Sequence, residues 1–463
     1  MTRTLIASIS GIRGIFGRGL DPEVIVRFSA AFGTWCRRRS EAIGSRRLII
    51  IGRDARVTGE ICADLVSATL RSSGLDVVNA GLATTPTVEM AVLAEGAAGG
   101  VVLSASHNPE EWNALKLLNE KGEFLSAEEG GEVLAIAERG EAETVAFDGI
   151  GHERGHDFLA YHIDKIVGLD FIDPETIARR RFRIVVDGVN SVGGVAIPAL
   201  LERLGVEGED IIKLNCEPTG RFSHPAEPLP QNLTALTEEV ARQEADLGIA
   251  VDPDADRLAL VADGGEYVSE ELTQVIAADF LWRFRKGPFV TNLSSSRAID
   301  DVARQHGQKV FRSAVGEINV VKKMQEVGAV LGGEGNGGVI LPDLHYGRDA
   351  LVGVALVLQH LVNEDVQLSE LKARLPSYTI RKAKTAIGEK DPDDVLAVLA
   401  ARYSDHDIDT TDGLKIHFED AWVHLRKSNT EPIVRVYAEA PSNERANELA
   451  HRFTSELAEA AAP

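Results

Sequence analysis

Residues 247–257 read LGIAVDPDADR. An uncharged apolar run passes directly into a loop that carries Asp252, Asp254 and Asp256 at alternate positions and closes on Arg257. A short continuous apolar run of this kind marks a strand buried on both faces, as in the sheet of an α/β domain. The plan recurs in GGVVLSASHNP at 99–109 and in GAVLGGEGNGG at 328–338. Each copy is preceded by another apolar run that enters a polar turn and then a helical stretch: LIIIGRDAR at 48–56, RIVVDGVNSVGG at 183–194 and FVTNLSSSRAID at 289–300. Strand–helix–strand units repeated in this way predict three related α/β domains. Their unequal spacing excludes a solenoid.

The chain beyond residue 372 breaks the plan. LKIHF at 414–418, WVHLR at 422–426 and IVRVYAEA at 433–440 read as strands, and 444–461 as a closing helix, so the tail predicts a smaller α+β domain. Residues 22–38 read as a helix near the N-terminus. A Gly- and acid-rich stretch at 138–156 suggests the first boundary, and the expected domains are 1–153, 154–258, 259–372 and 373–463.

The 463 residues are 44% hydrophobic, 26% charged and 5% aromatic, the balance of a soluble globular enzyme, and no apolar run is long enough to span a bilayer. MTRTLIASISGIRG at the N-terminus lacks the apolar core and cleavage site of a signal peptide. Cys36, Cys62 and Cys216 lie far apart with no CxxC pair, which argues against a zinc site or a disulfide framework and fits the cytoplasm. A formal charge of −22 argues against nucleic-acid or anionic-membrane partners, which need basic surface.

The loops carry the chemistry. Ser104-Ala105-Ser106-His107-Asn108-Pro109 follows a buried strand, where ligands sit in open α/β sheets. Asn108, Pro109 and two glutamates form a helix-start signal, and free amides there can hold an anion. A serine needs an adjacent base to act as nucleophile, and His107 and Lys116 are nearby. Taken alone, the segment is also an ordinary capped turn. Three alternating carboxylates can turn toward one hard cation, magnesium if phosphate completes the shell, or they form a solvated acidic turn. An EF-hand would need Gly and Glu where Arg257 and Asp263 stand, so calcium of that type is excluded. In the glycine-rich loop, Glu334 and Asn336 can hydrogen-bond sugar hydroxyls, or the loop is a flexible turn. It is neither a GxGxxG fingerprint nor a Walker loop. Arg426-Lys427-Ser428-Asn429-Thr430-Glu431-Pro432, with Arg435 beyond, gathers cations and hydroxyls suited to a phosphate in a strongly acidic chain, or is a β-turn between two strands with incidental basic residues.

In this order the loops resemble the α-D-phosphohexomutase family over essentially the whole chain, including phosphoglucosamine mutases, phosphomannomutases and phosphoglucomutases. The resemblance is carried by Gly11-Ile12-Arg13-Gly14, Gly52-Arg53-Asp54-Ala55-Arg56, Ser106 to Pro109, Asp252 to Arg257, Glu334 to Gly338 and Arg426 to Arg435. It implies four domains around a central cleft. It implies one Mg2+ held by phospho-Ser106, Asp252, Asp254 and Asp256. His107 and Lys116 are its candidates for proton transfer, and Arg13 and Arg257 for orienting phosphate. Glu334 and Asn336 would read the sugar, and Arg426, Ser428, Asn429, Thr430 and Arg435 would hold the nonreacting phosphate. Asn336 and Gly338 depart from the family's usual GExSGH, and His345, Tyr346 and Arg348 follow as candidates to replace the lost His.

The implied reaction interconverts hexose 6-phosphate and hexose 1-phosphate through a hexose 1,6-bisphosphate, with Lys116 needing a lowered pKa to act as base. GGEGNGGVI and GRDALVG lean to glucosamine phosphate, whereas RKSNTEP leans to mannose and glucose phosphates. A sugar phosphatase and a non-enzymatic phosphosugar sensor are more distant alternatives. Oligomeric state is not encoded in these motifs.

Overall fold

The computed structural model describes residues 4–8, 11–388, 390–427 and 433–461. By their contacts these fall into two compact units, Met1–Phe280 with Asn336–Lys372 and Leu281–Gly335 with Ala373–Pro463.

The first unit opens with a seven-stranded sheet. Its centre is parallel: Arg46–Arg53 lies between Asp76–Leu82 and Ala97–Leu103. Trp112–Leu118 then runs antiparallel to Ala97–Leu103, and Gly11–Ile15 antiparallel to Trp112–Leu118. Ala97–Leu103 is buried along its whole length. It carries two adjacent glycines because its neighbours come close: a Cβ on Gly99 would lie 2.5 Å from the Leu118 carbonyl oxygen. The helix Pro22–Ile43 covers one face. Asp21 caps it by accepting from the Val24 amide, Pro22 fits the first turn, and Gly44 ends it at φ 72°.

The second sheet of this unit has five strands in the order Glu266–Val268, Leu258–Ala262, Leu247–Val251, Ile184–Asp187, Ile211–Leu214. The last three are parallel, and Leu258–Ala262 returns antiparallel beside Leu247–Val251. Leu247–Val251 is buried throughout, as its apolar run requires. Its hairpin carries the sheet past residue 258 to Val268, and the first sheet ends on Glu153–Gly155. The helix Ala350–Glu364, capped by Asp349, also belongs to this unit.

In the second unit, Phe289–Asn292 lies parallel to Val310–Ser313 and Leu331–Glu334, the third α/β repeat. The tail forms a five-stranded antiparallel sheet ordered Thr379–Ala386, Ile433–Ala440, Trp422–Lys427, Leu414–His417, Asp407–Asp409. Helices Pro392–Arg402 and Asn443–Ala461 pack their apolar stripes into its core through Leu399, Leu449, Phe453 and Leu457. Three α/β repeats and a smaller α+β tail are therefore the architecture, as the sequence pattern predicts. Among the described residues no helix is long and apolar enough to cross a membrane.

Candidate active site

Two of the repeated loops meet in the first unit. The Ser106 hydroxyl donates to Asp252 Oδ2 at 2.6 Å, joining residues 146 apart in sequence. Ser106 sits at φ 47°, a left-handed conformation that non-glycine residues seldom adopt. Such strain persists where neighbours over-determine it, and it gathers at functional sites. Here Ser104 Oγ accepts the Ser106 amide at 2.9 Å. Arg56 does more. Its guanidinium donates to the backbone carbonyls of Ser106 at 2.6 Å, Asn108 at 2.7 Å and Trp112 at 2.9 Å, and to that of Pro109. Its Nε is paired with Asp54 Oδ2 at 3.0 Å, and both side chains are buried. The GRDAR segment is thus the clamp that shapes the serine loop. Nothing in its local pattern signals this, because its partners lie about fifty residues away.

No helix follows the loop. Residues 112–118 instead form the strand Trp112–Leu118, because a ladder with neighbours on both sides outweighs the local start signal.

Asp252, Asp254 and Asp256 are all buried, with carboxylate oxygens within 4.8 Å of one another. Each commits one oxygen to the protein. Asp252 Oδ1 accepts the amides of Asp256 and Arg257, both at 3.1 Å. Asp254 Oδ2 accepts from Lys116 Nζ at 2.5 Å and from the Thr85 hydroxyl. Asp256 Oδ2 accepts from Arg348 Nη2 at 2.7 Å. The second oxygens are Asp252 Oδ2, which meets only the Ser106 hydroxyl, and Asp254 Oδ1 and Asp256 Oδ1, which have no hydrogen-bond partner among the described residues. Buried carboxylate oxygens without partners are costly unless a cation satisfies them. Two such oxygens, with Asp252 Oδ2 beside them on the Ser106 hydroxyl, fit a small, hard divalent cation.

The surrounding charges divide clearly. Burial, with Asp256 and Asp254 alongside, raises the Asp252 carboxyl well above its usual range. Burial would do the same to Asp256, but Arg348, Lys116 and Arg257 hold it below that range. Burial works against the Lys116 charge, yet Asp254 and Asp256 outweigh it and hold the ammonium above its ordinary value. This is opposite to the lowered value a free base at Lys116 requires. His107 is pushed down to about 3 by burial and by Arg257, so its imidazole is neutral, with Nδ1 3.4 Å from Ser106 Oγ. Arg257 reaches Glu227 at 3.3 Å and lies 3.9 Å from Asp256 Oδ1. Arg13 lies opposite Ala114 in the adjoining strand and pairs with no carboxylate among the described residues. Asn336 Oδ1 accepts the Gly338 amide at 3.2 Å, closing its own turn.

Behind Arg348 lies a buried chain the sequence does not announce. His162 Nε2 is 2.9 Å and His345 Nε2 3.4 Å from Asp349 Oδ2, and His345 Nδ1 is 3.0 Å from Glu89. Burial alone would lower His345, but the Asp349 and Glu89 carboxylates beside its two ring nitrogens raise it to about 10. The other flagged neighbour, Tyr346, has no part in this chain among the described contacts.

The second unit holds the remaining loops. Glu334 ends its strand almost fully buried, and its Oε1 accepts from Asn292 Nδ2 at 2.8 Å and the Gly316 amide at 3.3 Å. Arg426 Nε donates to Asp412 Oδ2 at 2.8 Å. Arg435 stands opposite Arg426 on one side and Lys384 on the other. Cross-strand partners share a face, so three cations form a row there, and Lys384 is a member the motif did not supply. Ser428, Asn429 and Thr430 lie outside the described residues.

Two consequences are measurable. Arg56→Met strips the partner from buried Asp54, a class of change that costs about 3–5 kcal/mol. The denaturation midpoint should drop accordingly, and an unchanged midpoint would remove the clamp. His345 carries a folded value of about 10 against an ordinary 6.5, so its stabilising charge is fully present below pH 6.5 and is lost as pH rises through 10. The stability difference between wild type and His345→Gln should shrink over that window, as read by chemical denaturation. A difference independent of pH from 6 to 10 would contradict a charged His345.

Four segments match, in order, "Phosphoglucomutase/phosphomannomutase, alpha/beta/alpha domain I" over residues 6–144, domain II over 160–265, domain III over 269–378 and the family's C-terminal domain over 381–456. A phosphoglucomutase/phosphomannomutase of Thermococcus kodakarensis is 36% identical over 442 residues, 95% of each chain. A probable phosphoglucosamine mutase of Methanopyrus kandleri is 35% identical over 449 residues, 96% of each chain. The crystal structure of a phosphoglucomutase/phosphomannomutase family protein from Burkholderia thailandensis superposes with a TM-score of 0.86 at 25% identity, covering 99% of this chain and 98% of that one. The chain therefore belongs to the phosphoglucomutase/phosphomannomutase family of α-D-phosphohexomutases, and it is a phosphohexomutase, an isomerase that transfers phosphate within its substrate.

Proposed function

We propose that Ser106 carries the phosphoryl group between O1 and O6 of a hexose monophosphate by way of a hexose 1,6-bisphosphate, and that glucosamine phosphate is the preferred substrate. The observation that carries this reading is the Ser106 hydroxyl at 2.6 Å from Asp252, beside two buried carboxylate oxygens that have no hydrogen-bond partner among the described residues. A phosphate on that hydroxyl extends into the same group of oxygens. Ser106, Asp252, Asp254 and Asp256 would hold Mg2+. When bound, the ion neutralises charge on the transferring phosphoryl group.

The chain's own residues do the rest. In the first half-reaction the bond from Ser106 Oγ to phosphorus breaks and one from a sugar oxygen forms; in the second the bond from the other sugar oxygen to phosphorus breaks and the one to Ser106 Oγ forms again. Little covalent help is available in such a transfer, so placement and charge supply most of the rate. His107, with Nδ1 3.4 Å from Ser106 Oγ, is a candidate to accept the sugar hydroxyl proton, although burial and Arg257 lower its basicity. Lys116, kept cationic by Asp254 and Asp256, supplies positive charge and a proton for the oxygen that leaves. Arg13 and Arg257 supply further cations to phosphate. Glu334 and Asn336 present acceptors to sugar hydroxyls. Arg426 and Arg435, with Lys384 in the same row and Ser428, Asn429 and Thr430 in the connecting loop, would grip the phosphate that is not reacting. Binding energy from that remote phosphate goes into orienting the reacting one.

Glucosamine phosphate is favoured by the GGEGNGGVI and GRDALVG segments and by relatives such as that of M. kandleri. The second reading, mannose or glucose phosphate, is favoured by RKSNTEP and by the T. kodakarensis relative. The three thiols, Cys36, Cys62 and Cys216, are free, and the cytoplasm is the compartment we infer.

Ser106→Ala should lower kcat at least about a thousandfold at saturating substrate and Mg2+, the scale of losing a covalent nucleophile. Full turnover by that variant would remove Ser106 from the reaction. Glucosamine, mannose and glucose monophosphates compared by kcat/KM should rank in that order of preference for the first. A higher value for either of the others replaces the sugar and leaves the phosphoserine chemistry in place.

A further inference from the structure

Position 338 is a glycine, and a side chain there would collide with that of Arg348. A Cβ built on Gly338 would lie 2.3 Å from Arg348 Cδ and 2.8 Å from Arg348 Cγ. The arginine stem occupies that space and carries its guanidinium to Asp256 Oδ2 at 2.7 Å. Lys116 reaches the same oxygen only at 3.5 Å, and Arg257 stands 3.9 Å from the other. Arg348 is therefore the cation in closest contact with Asp256.

That contact decides which way Asp256 faces. The terminal torsion of an aspartate is broad and two-fold, so packing alone leaves its two oxygens nearly interchangeable. Arg348 engages Oδ2, and Oδ1 is the one left without a hydrogen-bond partner among the described residues. A guanidinium suits this task because its planar fork is directional, whereas an ammonium is a point charge.

The segment that delivers Arg348 is fixed on several sides. The Asp349 amide donates to the Val339 carbonyl at 2.8 Å, and its carboxylate caps the helix Ala350–Glu364 through the Leu351 amide at 2.8 Å. The same carboxylate meets His162 and His345, and His345 continues to Glu89. The Ala350 amide donates to Ala255 at 3.2 Å, within the aspartate loop itself. Ala255 holds φ 53°, so that loop also depends on its surroundings for its shape.

We propose that Arg348 is a positioning residue of the aspartate loop, turning Asp256 so that Oδ1 is offered to a divalent cation, and that glycine at 338 is required because its missing side chain admits the arginine. This rests on the reading of Asp252, Asp254 and Asp256 as metal ligands. Partners that orient a metal ligand are commonly worth about 10–100-fold in metal affinity or activity.

The test is Mn2+ binding to the purified full chain, followed by calorimetry and by the electron paramagnetic resonance of free Mn2+. Wild type, Arg348→Met, Arg348→Lys and Gly338→Ala are compared, with kcat and KM measured in parallel. Arg348→Met should weaken Mn2+ binding about tenfold or more. Gly338→Ala alters no charge and should weaken it in the same direction by displacing the arginine stem. Arg348→Lys should fall between. Because Gly338→Ala and Arg348→Lys keep the local charge, either decides the matter if Arg348→Met does not fold. Binding in Arg348→Met equal to or tighter than wild type, with wild type binding normally, overturns the role of Arg348 and leaves the metal site standing. Absence of Mn2+ binding by wild type overturns the metal site and this inference with it.

Discussion

Three buried carboxylates within 4.8 Å of one another set the terms for the first unit. At that separation and an effective dielectric of about 20, two like charges repel by roughly 3–4 kcal/mol. Such a group survives burial only if the protein surrounds it with opposite charge and hydrogen-bond donors. The donors come from every direction: amides of the loop itself to Asp252, Lys116 and Thr85 to Asp254, Arg348 to Asp256. Each takes one oxygen; of the remaining three, Asp252 Oδ2 accepts the Ser106 hydroxyl, and Asp254 Oδ1 and Asp256 Oδ1 have no hydrogen-bond partner among the described residues.

The serine loop is joined to this group by a single hydrogen bond, and its own shape is imposed from the far side by Arg56. One buried arginine gathers carbonyls from four positions of the loop, and buried Asp54 balances its charge. The strained backbone at Ser106 is therefore held between two electrostatic centres, an acidic one in front and a basic one behind. This arrangement suits phosphoryl transfer, in which positioning and neutralisation carry most of the burden.

Much of this was legible from the chain. The uninterrupted apolar runs at 48–51, 99–103 and 247–251 are buried strands, and each leads into the loop its residues announced. The alternating aspartates do converge. What local pattern could not convey was partnership at a distance. Arg56 meets residues 50 and more positions away, Asp256 meets Arg348 across 92 positions, and His162 meets Asp349 across 187. Asn108-Pro109 reads locally as a helix start, yet strands on both sides of Trp112–Leu118 supply a ladder that prevails. Lys116 looks like a base when its neighbours are unknown. Beside Asp254 and Asp256 it is a held cation. Lys384 joins Arg426 and Arg435 only through strand register, which the spacing of the tail does not reveal.

The central claim is that Ser106 is the covalent carrier. It is tested most directly by incubating the protein with a hexose 1,6-bisphosphate and Mg2+, measuring the intact mass, and mapping the modified peptide. The account predicts one phosphoryl group per chain, located on Ser106 and discharged when a hexose monophosphate is added. Phosphate on another residue, or sustained turnover with no phosphoryl group on the chain, would contradict it.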